Sequence, residues 1–313
     1  MEAGPTIESQ PRLRWSVRAR SPFDFPLTAR VLRRSTRNLI DRVGDDGSWS
    51  RVVVLGRGPA LLRGQQHGES VTFEAAPADP DDRKAVASLV TRLFSLDVEL
   101  APFFRQLHRE PGFAEVARRC AGLRPQRFPS LFEALANGFA CQQLSLASGL
   151  MRLGHLCERF GPRISDGDGV RLGAPDPARI ARAPVAHLRQ AGFSNRRAEE
   201  LRELARLPLD RLEEELDRMP TQEARARLLE LPGVGPWTAD YVLLRGLGRL
   251  DVFPSGDVGA ARTLGNILGR AIPPARAGRI AARFSPLRGM LYFCMLGWVL
   301  GGGAEARAPD EKR

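Results

Sequence analysis

Lysine is almost missing from this sequence: only Lys84 and Lys312 occur, although Lys and Arg together number 47. Nearly all the positive charge is therefore arginine, the better group for bidentate contacts to phosphate. Against 36 acidic residues it leaves a formal charge of +11, which favours a polyanionic partner, nucleic acid ahead of an anionic membrane. Cysteine is scarce too. Cys120, Cys141, Cys157 and Cys294 form no CxxC pair, and His67, His108, His155 and His187 are scattered. That spacing argues against a zinc site or an iron–sulfur cluster, and reads the thiols as buried apolar groups in a reducing compartment. Long apolar runs are also lacking. Met290 to Leu300 is too short to span a bilayer, and the first thirty residues hold no signal-peptide core. The expectation is a soluble, cytoplasmic, nucleoid-associated monomer with no membrane partner.

The 313 residues, 43% hydrophobic, suffice for one large or two ordinary domains with a real core. Leu13 to Val17 and Val71 to Phe73 alternate, Val52 to Leu55 is a β-branched run, and Leu27 to Leu39 has helical spacing. Residues 1–95 thus predict a small α+β domain with an antiparallel sheet. Beyond it, 3.6-residue periodicity separated by short Gly/Pro turns predicts an all-α unit over 96–305, one helical stretch covering 130–160. Residues 306–313 read as a disordered tail.

The most informative segment is Leu229-Glu230-Leu231-Pro232-Gly233-Val234-Gly235-Pro236-Trp237-Thr238-Ala239-Asp240-Tyr241. A helix ends near Leu229, two glycines leave the backbone bare, and Pro236 suits the first position of a new helix. Such a turn offers unpaired N–H groups to a phosphate. The same pattern also makes an ordinary αα-hairpin; the net charge and the flanking apolar residues tip the balance towards DNA.

This segment, with Asp251-Val252-Phe253-Pro254-Ser255-Gly256-Asp257 after it, resembles the helix-hairpin-helix/Gly-Pro-Asp superfamily of DNA glycosylases. Within it, Gly235 to Tyr241 with Leu244-Arg245-Gly246 is most similar to the DNA-3-methyladenine glycosylase II branch. Gly138 to Ser145 resembles the family's Gln-bearing pocket helix, Leu188 to Ala198 its middle hairpin, and Ser21 to Phe25 the opening of its added amino-terminal domain.

The resemblance implies an α+β domain followed by an all-α glycosylase core that excises alkylated purines such as 3-methyladenine from double-stranded DNA. It implies Asp257 as the catalytic carboxylate, a position that an ordinary helix N-cap would also explain. It implies a base pocket of Trp237, Tyr241 and Gln142, although two aromatics at i and i+4 also fit a core and a lone Gln a solvated helix face. Gly233, Val234, Gly235 and Thr238 are the implied DNA-backbone contacts. The backbone of Leu229, Leu231 and Val234 is the implied seat of a structural Na+ or K+; no other cofactor is expected. Trp237 stands where strand-nicking relatives carry a Schiff-base Lys, so the expected enzyme is monofunctional. Val258 and Pro286-Leu287-Arg288 depart from the branch, which has an aromatic at each of those places, and so leave the preferred lesion open. The rivals are a non-catalytic helix-hairpin-helix DNA-binding protein and a monofunctional glycosylase for another damaged base.

Overall fold

The computed structural model describes residues 10–303 apart from 19, 168 and 255; the tail expected at 306–313 lies outside them. Its first part is a sheet of β1 (Leu13–Arg18), β2 (Asp41–Val43), β3 (Trp49–Leu55), β4 (Gly58–His67) and β5 (Ser70–Ala76). The spatial order is β1-β5-β4-β3-β2, every pair antiparallel. Alternation puts Trp15, Trp49, Val53, Leu62 and Phe73 on one face, under α1 (Phe25–Arg33) and α2 (Arg83–Phe94). The α+β reading of this part is borne out.

Among the described residues fourteen α-helices follow α1. After α2 come α3 (Ala101–Arg109), α4 (Ala114–Arg119), α5 (Leu131–Cys141) and α6 (Leu146–Phe160). Then come α7 (Pro177–Arg182), α8 (Val185–Gln190), α9 (Asn195–Leu204), α10 (Leu209–Arg218) and α11 (Thr221–Leu229). The last are α12 (Pro236–Arg245), α13 (Val258–Leu268), α14 (Pro274–Ala281) and α15 (Arg288–Trp298). One apolar cluster joins α5 to α12; a second joins α3, α4 and α13 to α15 with Leu27 and Val31 of α1. Leu243 belongs to the first cluster and Leu244 to the second, so α12 runs along the seam between them.

Two details differ from the sequence reading. The helical part also holds a hairpin, β6 (Arg163–Asp166) with β7 (Gly169–Leu172), whose Ile164 packs on Val52, Leu61 and Ala76, on the sheet face away from α1. The strands are too short for alternation to stand out, and their stability comes from the sheet they cover. Residues 130–160 also form two helices, not one. Gln143 adopts a φ of +56°, and Ser145 starts α6 by accepting from Ser148 N–H. An unbroken apolar period does not reveal such a reversal, because the side-chain pattern resumes in phase.

Candidate DNA-binding and catalytic site

The seam opens into a cleft of about 920 Å³ bordered by the end of α5, the start of α9, the α11–α12 hairpin and residues 256–259. At the hairpin, Gly233 has a φ of +67°, and a β-carbon there would lie 2.6 Å from the Phe139 ring. Only glycine fits. Gly235 is different: its φ is −95° and a β-carbon would meet nothing within 4 Å. The turn itself does not need a glycine there, contrary to the sequence reading of two glycines making one reversal. Gly235 is the N-cap of α12 and supplies no capping side chain, so first-turn N–H groups face outward. Val234 is buried and closes the turn through its N–H to Leu231 O at 3.2 Å.

Asp257 begins α13. Its Oδ1 accepts from Ala260 N–H at 2.8 Å, so it is a helix cap. Its Oδ2 accepts from Trp237 Nε1 at 2.9 Å, so the second oxygen is held at the cleft wall. A half-buried carboxylate with both oxygens fixed is preorganised to face positive charge.

Trp237 stacks on Tyr241 with ring centroids 5.0 Å apart. The expected shared helix face is real, but its two members sit at different depths. Trp237 lines the cleft, whereas Tyr241 is 1% exposed and lies behind it. Tyr241 donates its hydroxyl proton to Asn137 Oδ1 at 2.7 Å and accepts from Arg34 at 2.8 Å. Burial raises its pKa well above the usual phenol value.

Gln142 borders the cleft and spends its amide on the hairpin, donating to Gly233 O at 3.2 Å and to the Thr238 hydroxyl. Thr238 accepts that bond and keeps its O–H donor, but at 1% exposure its side chain is nearly buried. Helical spacing cannot foretell either outcome, because the partners come from another helix. Of the two departures, Val258 is 60% exposed beside Asp257, and Leu287 packs on the second apolar cluster. Neither supplies a ring.

Two arginines escaped the sequence reading. Arg197 of α9 donates to Gly233 O at 3.2 Å and lies 3.9 Å over Phe139. Arg34, from the sheet domain, reaches Tyr241. Among the described residues no group of three or more His, Cys, Asp or Glu could hold a metal ion, and no helix is long and apolar enough to cross a membrane.

Residues 139–275 match the family model described as HhH-GPD superfamily base excision DNA repair protein. The chain is 31% identical over 193 residues to the DNA-3-methyladenine glycosylase of Bacillus subtilis (strain 168), covering 61% of this chain and 64% of that protein. It is 29% identical over 200 residues to DNA-3-methyladenine glycosylase 2 of Escherichia coli (strain K12), covering 62% and 66%. It thus spans less than two thirds of the length of either curated relative. The solved 3-methyladenine DNA-glycosylase from Archaeoglobus fulgidus shares the fold, with a TM-score of 0.79 at 23% identity over 91% of this chain and 98% of that one.

Proposed function

Because this chain belongs, through residues 139–275, to the HhH-GPD superfamily of base excision DNA repair proteins, we propose that it is a monofunctional DNA glycosylase. It would act in the cytoplasm, as a monomer on nucleoid DNA, and excise alkylated purines such as 3-methyladenine from the duplex. The observation that carries this reading is the Asp257 carboxylate, held by Ala260 N–H and the Trp237 indole at the wall of the hairpin cleft. A purely DNA-binding hairpin needs the turn and the basic surface but not a carboxylate next to the phosphates.

The chemistry follows from the groups present. Breaking the C1′–N9 bond sends its electron pair to the base and leaves positive charge on the deoxyribose. Asp257 stabilises that charge and accepts a proton from the water that attacks C1′. The damaged nucleotide must first leave the stack. Trp237, at the cleft wall, is the aromatic available to the flipped base; Tyr241 supports it from behind. Lys84 is exposed on α2 in the sheet domain, which supports hydrolysis over Schiff-base chemistry. Leu231 O spends one lone pair on Val234 N–H. Its second is available to a Na+ or K+ shared with the carbonyls of Leu229 and Val234.

The test is incubation with alkylated duplex DNA and identification of the bases released. Methylated purines are expected, with the strand intact until alkali is added and no adduct trapped by borohydride. A trapped adduct would overturn the monofunctional reading.

Gly235 supplies a second expectation. Gly235→Val fits the free protein, so thermal melting should stay near wild type. Affinity for damaged and undamaged duplex should fall by a similar factor at every salt concentration, because one fixed phosphate contact is obstructed. Binding by both proteins should still decline log-linearly with salt through counterion release to the arginine surface. A folded variant that binds as tightly as wild type would remove the hairpin from DNA docking.

A further inference from the structure

Arg34 closes α1 with a φ of +60°, a left-handed conformation uncommon for a residue with a side chain. That turn carries its guanidinium out of the sheet domain and beneath the cleft. One Nη donates to Tyr241 Oη at 2.8 Å, and the guanidinium carbon lies 5.6 Å from the centre of that ring. Tyr241 stacks on Trp237, and Trp237 holds Asp257, so the charge sits two side chains from the reacting centre. Tyr292 and Cys141 are its other close neighbours, and Cys141 lines the cleft.

Burial raises the pKa of Tyr241, Tyr292 and Cys141, so all three are neutral at physiological pH. Among the described residues no carboxylate forms an ion pair with Arg34, and its Nε is buried without a partner. Elsewhere Arg51 is neutralised by Glu133 and Asp41, and Asp240 by Arg225. Arg124 and Arg245, also buried, form no ion pair among the described residues. Arg124 donates to the carbonyls of Arg20, Ser95 and Val98. Arg245 donates to Tyr241 Oη at 3.3 Å, adding to the positive charge behind the cleft. An arginine stays protonated even when buried. Holding one without a counter-ion is costly to the fold, and such groups concentrate where a site uses their field.

Resting on the glycosylase reading above, we propose that Arg34 is a specificity-determining residue that biases the cleft towards neutral damaged purines, such as hypoxanthine, over cationic ones, such as 7-methylguanine. In both cases C1′–N9 breaks with its electron pair going to the base, and water oxygen bonds to C1′ while its proton passes to Asp257. A cationic base leaves neutral. A neutral base leaves as an anion, which then takes a proton from solvent. A fixed positive charge below the base repels the first substrate and stabilises the second as it departs. The charge developing on the sugar is common to both and cancels in the comparison. Val258 and Leu287, which add no ring to attract a cation, act in the same direction.

The experiment measures single-turnover base release from duplexes carrying one hypoxanthine or one 7-methylguanine, at mildly acidic pH where the latter is cationic. Wild type, Arg34→Gln and Arg34→Lys are compared, with thermal melting as the folding control. Arg34→Gln should lower the hypoxanthine-to-7-methylguanine rate ratio about tenfold, the effect of one unit charge roughly 12 Å away at an effective dielectric constant of about 20. Arg34→Lys keeps the charge only while its ammonium stays protonated, so at this mildly acidic pH it should stay within about threefold of wild type and move towards Arg34→Gln as pH rises. A merely structural role would slow both bases alike, and an unchanged ratio in folded Arg34→Gln would overturn the proposal. If the variants do not fold, wild type decides: free hypoxanthine should inhibit more strongly than the permanently charged 7,9-dimethyladeninium ion, and the reverse order overturns the proposal. Duplex carrying 3-methyladenine is the control: no release from it would sink the glycosylase reading, whereas its release, abolished by Asp257→Asn, with neither hypoxanthine nor 7-methylguanine released would overturn this proposal alone.

Discussion

Asp257→Asn should abolish base release, with a loss of about a thousandfold or more in the single-turnover rate, and should leave the fold intact. The expected size is that of removing a preorganised electrostatic partner from a site where charge develops in the transition state. Asparagine caps helices as well as aspartate does, so its Oδ1 can still accept from Ala260 N–H. Its Nδ2 cannot accept from Trp237 Nε1, so stability should fall by about 1–2 kcal/mol, the loss of that one partly buried bond. DNA affinity should stay level or rise, because one negative charge beside the phosphates is gone. Trp237→Phe is the graded companion: it keeps a ring on Tyr241 but removes the donor to Oδ2. It should lower kcat about tenfold with KM little changed, as expected when an interaction is realised chiefly in the transition state. Wild-type release by folded Asp257→Asn would leave Asp257 as a cap alone.

The largest expected effect on stability comes from Arg51→Met. Arg51 is 2% exposed and ties the sheet to the helical part, with Nη2 2.5 Å from Glu133 Oε1 and Nε 3.6 Å from Asp41 Oδ1. Asp41 also accepts from Trp49 Nε1 at 3.0 Å. Methionine fills much of the same space and leaves both carboxylates buried without their cation, a change that costs about 3–5 kcal/mol. Burial already raises the Glu133 pKa against the pull of Arg51. Without Arg51 it should rise further, so the folded variant binds a proton that the unfolded chain has released above the ordinary carboxylate range. Stability should then fall as pH rises from that range through the folded pKa. Urea unfolding at mildly acidic and at neutral pH should show the smaller deficit on the acid side. An equal deficit at both would mean that Glu133 does not titrate in the variant.

The two changes act at different distances, which bears on what could be read beforehand. Asp257 lies twenty residues from Trp237, inside one motif, and its place at a helix start follows from local spacing. Arg51 and Glu133 are 82 residues apart, and nothing in the composition of either neighbourhood pairs them. The same contrast holds for the pocket residues. Gln142 and Thr238 were both legible from the sequence, but not the hydrogen bond that ties them together across two helices and spends the Gln142 amide nitrogen on the hairpin.

Helical periodicity, turn chemistry and capping operate within a few residues, so the sheet-then-helices order, the hairpin at 229–241 and Asp257 as a cap were determined by the sequence itself. The arginine surplus belongs with them, since charge composition needs no fold to be read. Depth was decided only by tertiary packing. Residues on one helix face share a direction but not a distance from solvent, so Trp237 meets the cleft while Tyr241 lies behind it. Nor does local pattern separate Gly233, pressed against Phe139, from Gly235, which faces open space. Arg34 reaches Tyr241 across 207 residues because the sheet domain folds back on the helical part. A contact of that range leaves no periodic trace in the sequence; it exists only once two separately patterned surfaces are brought together.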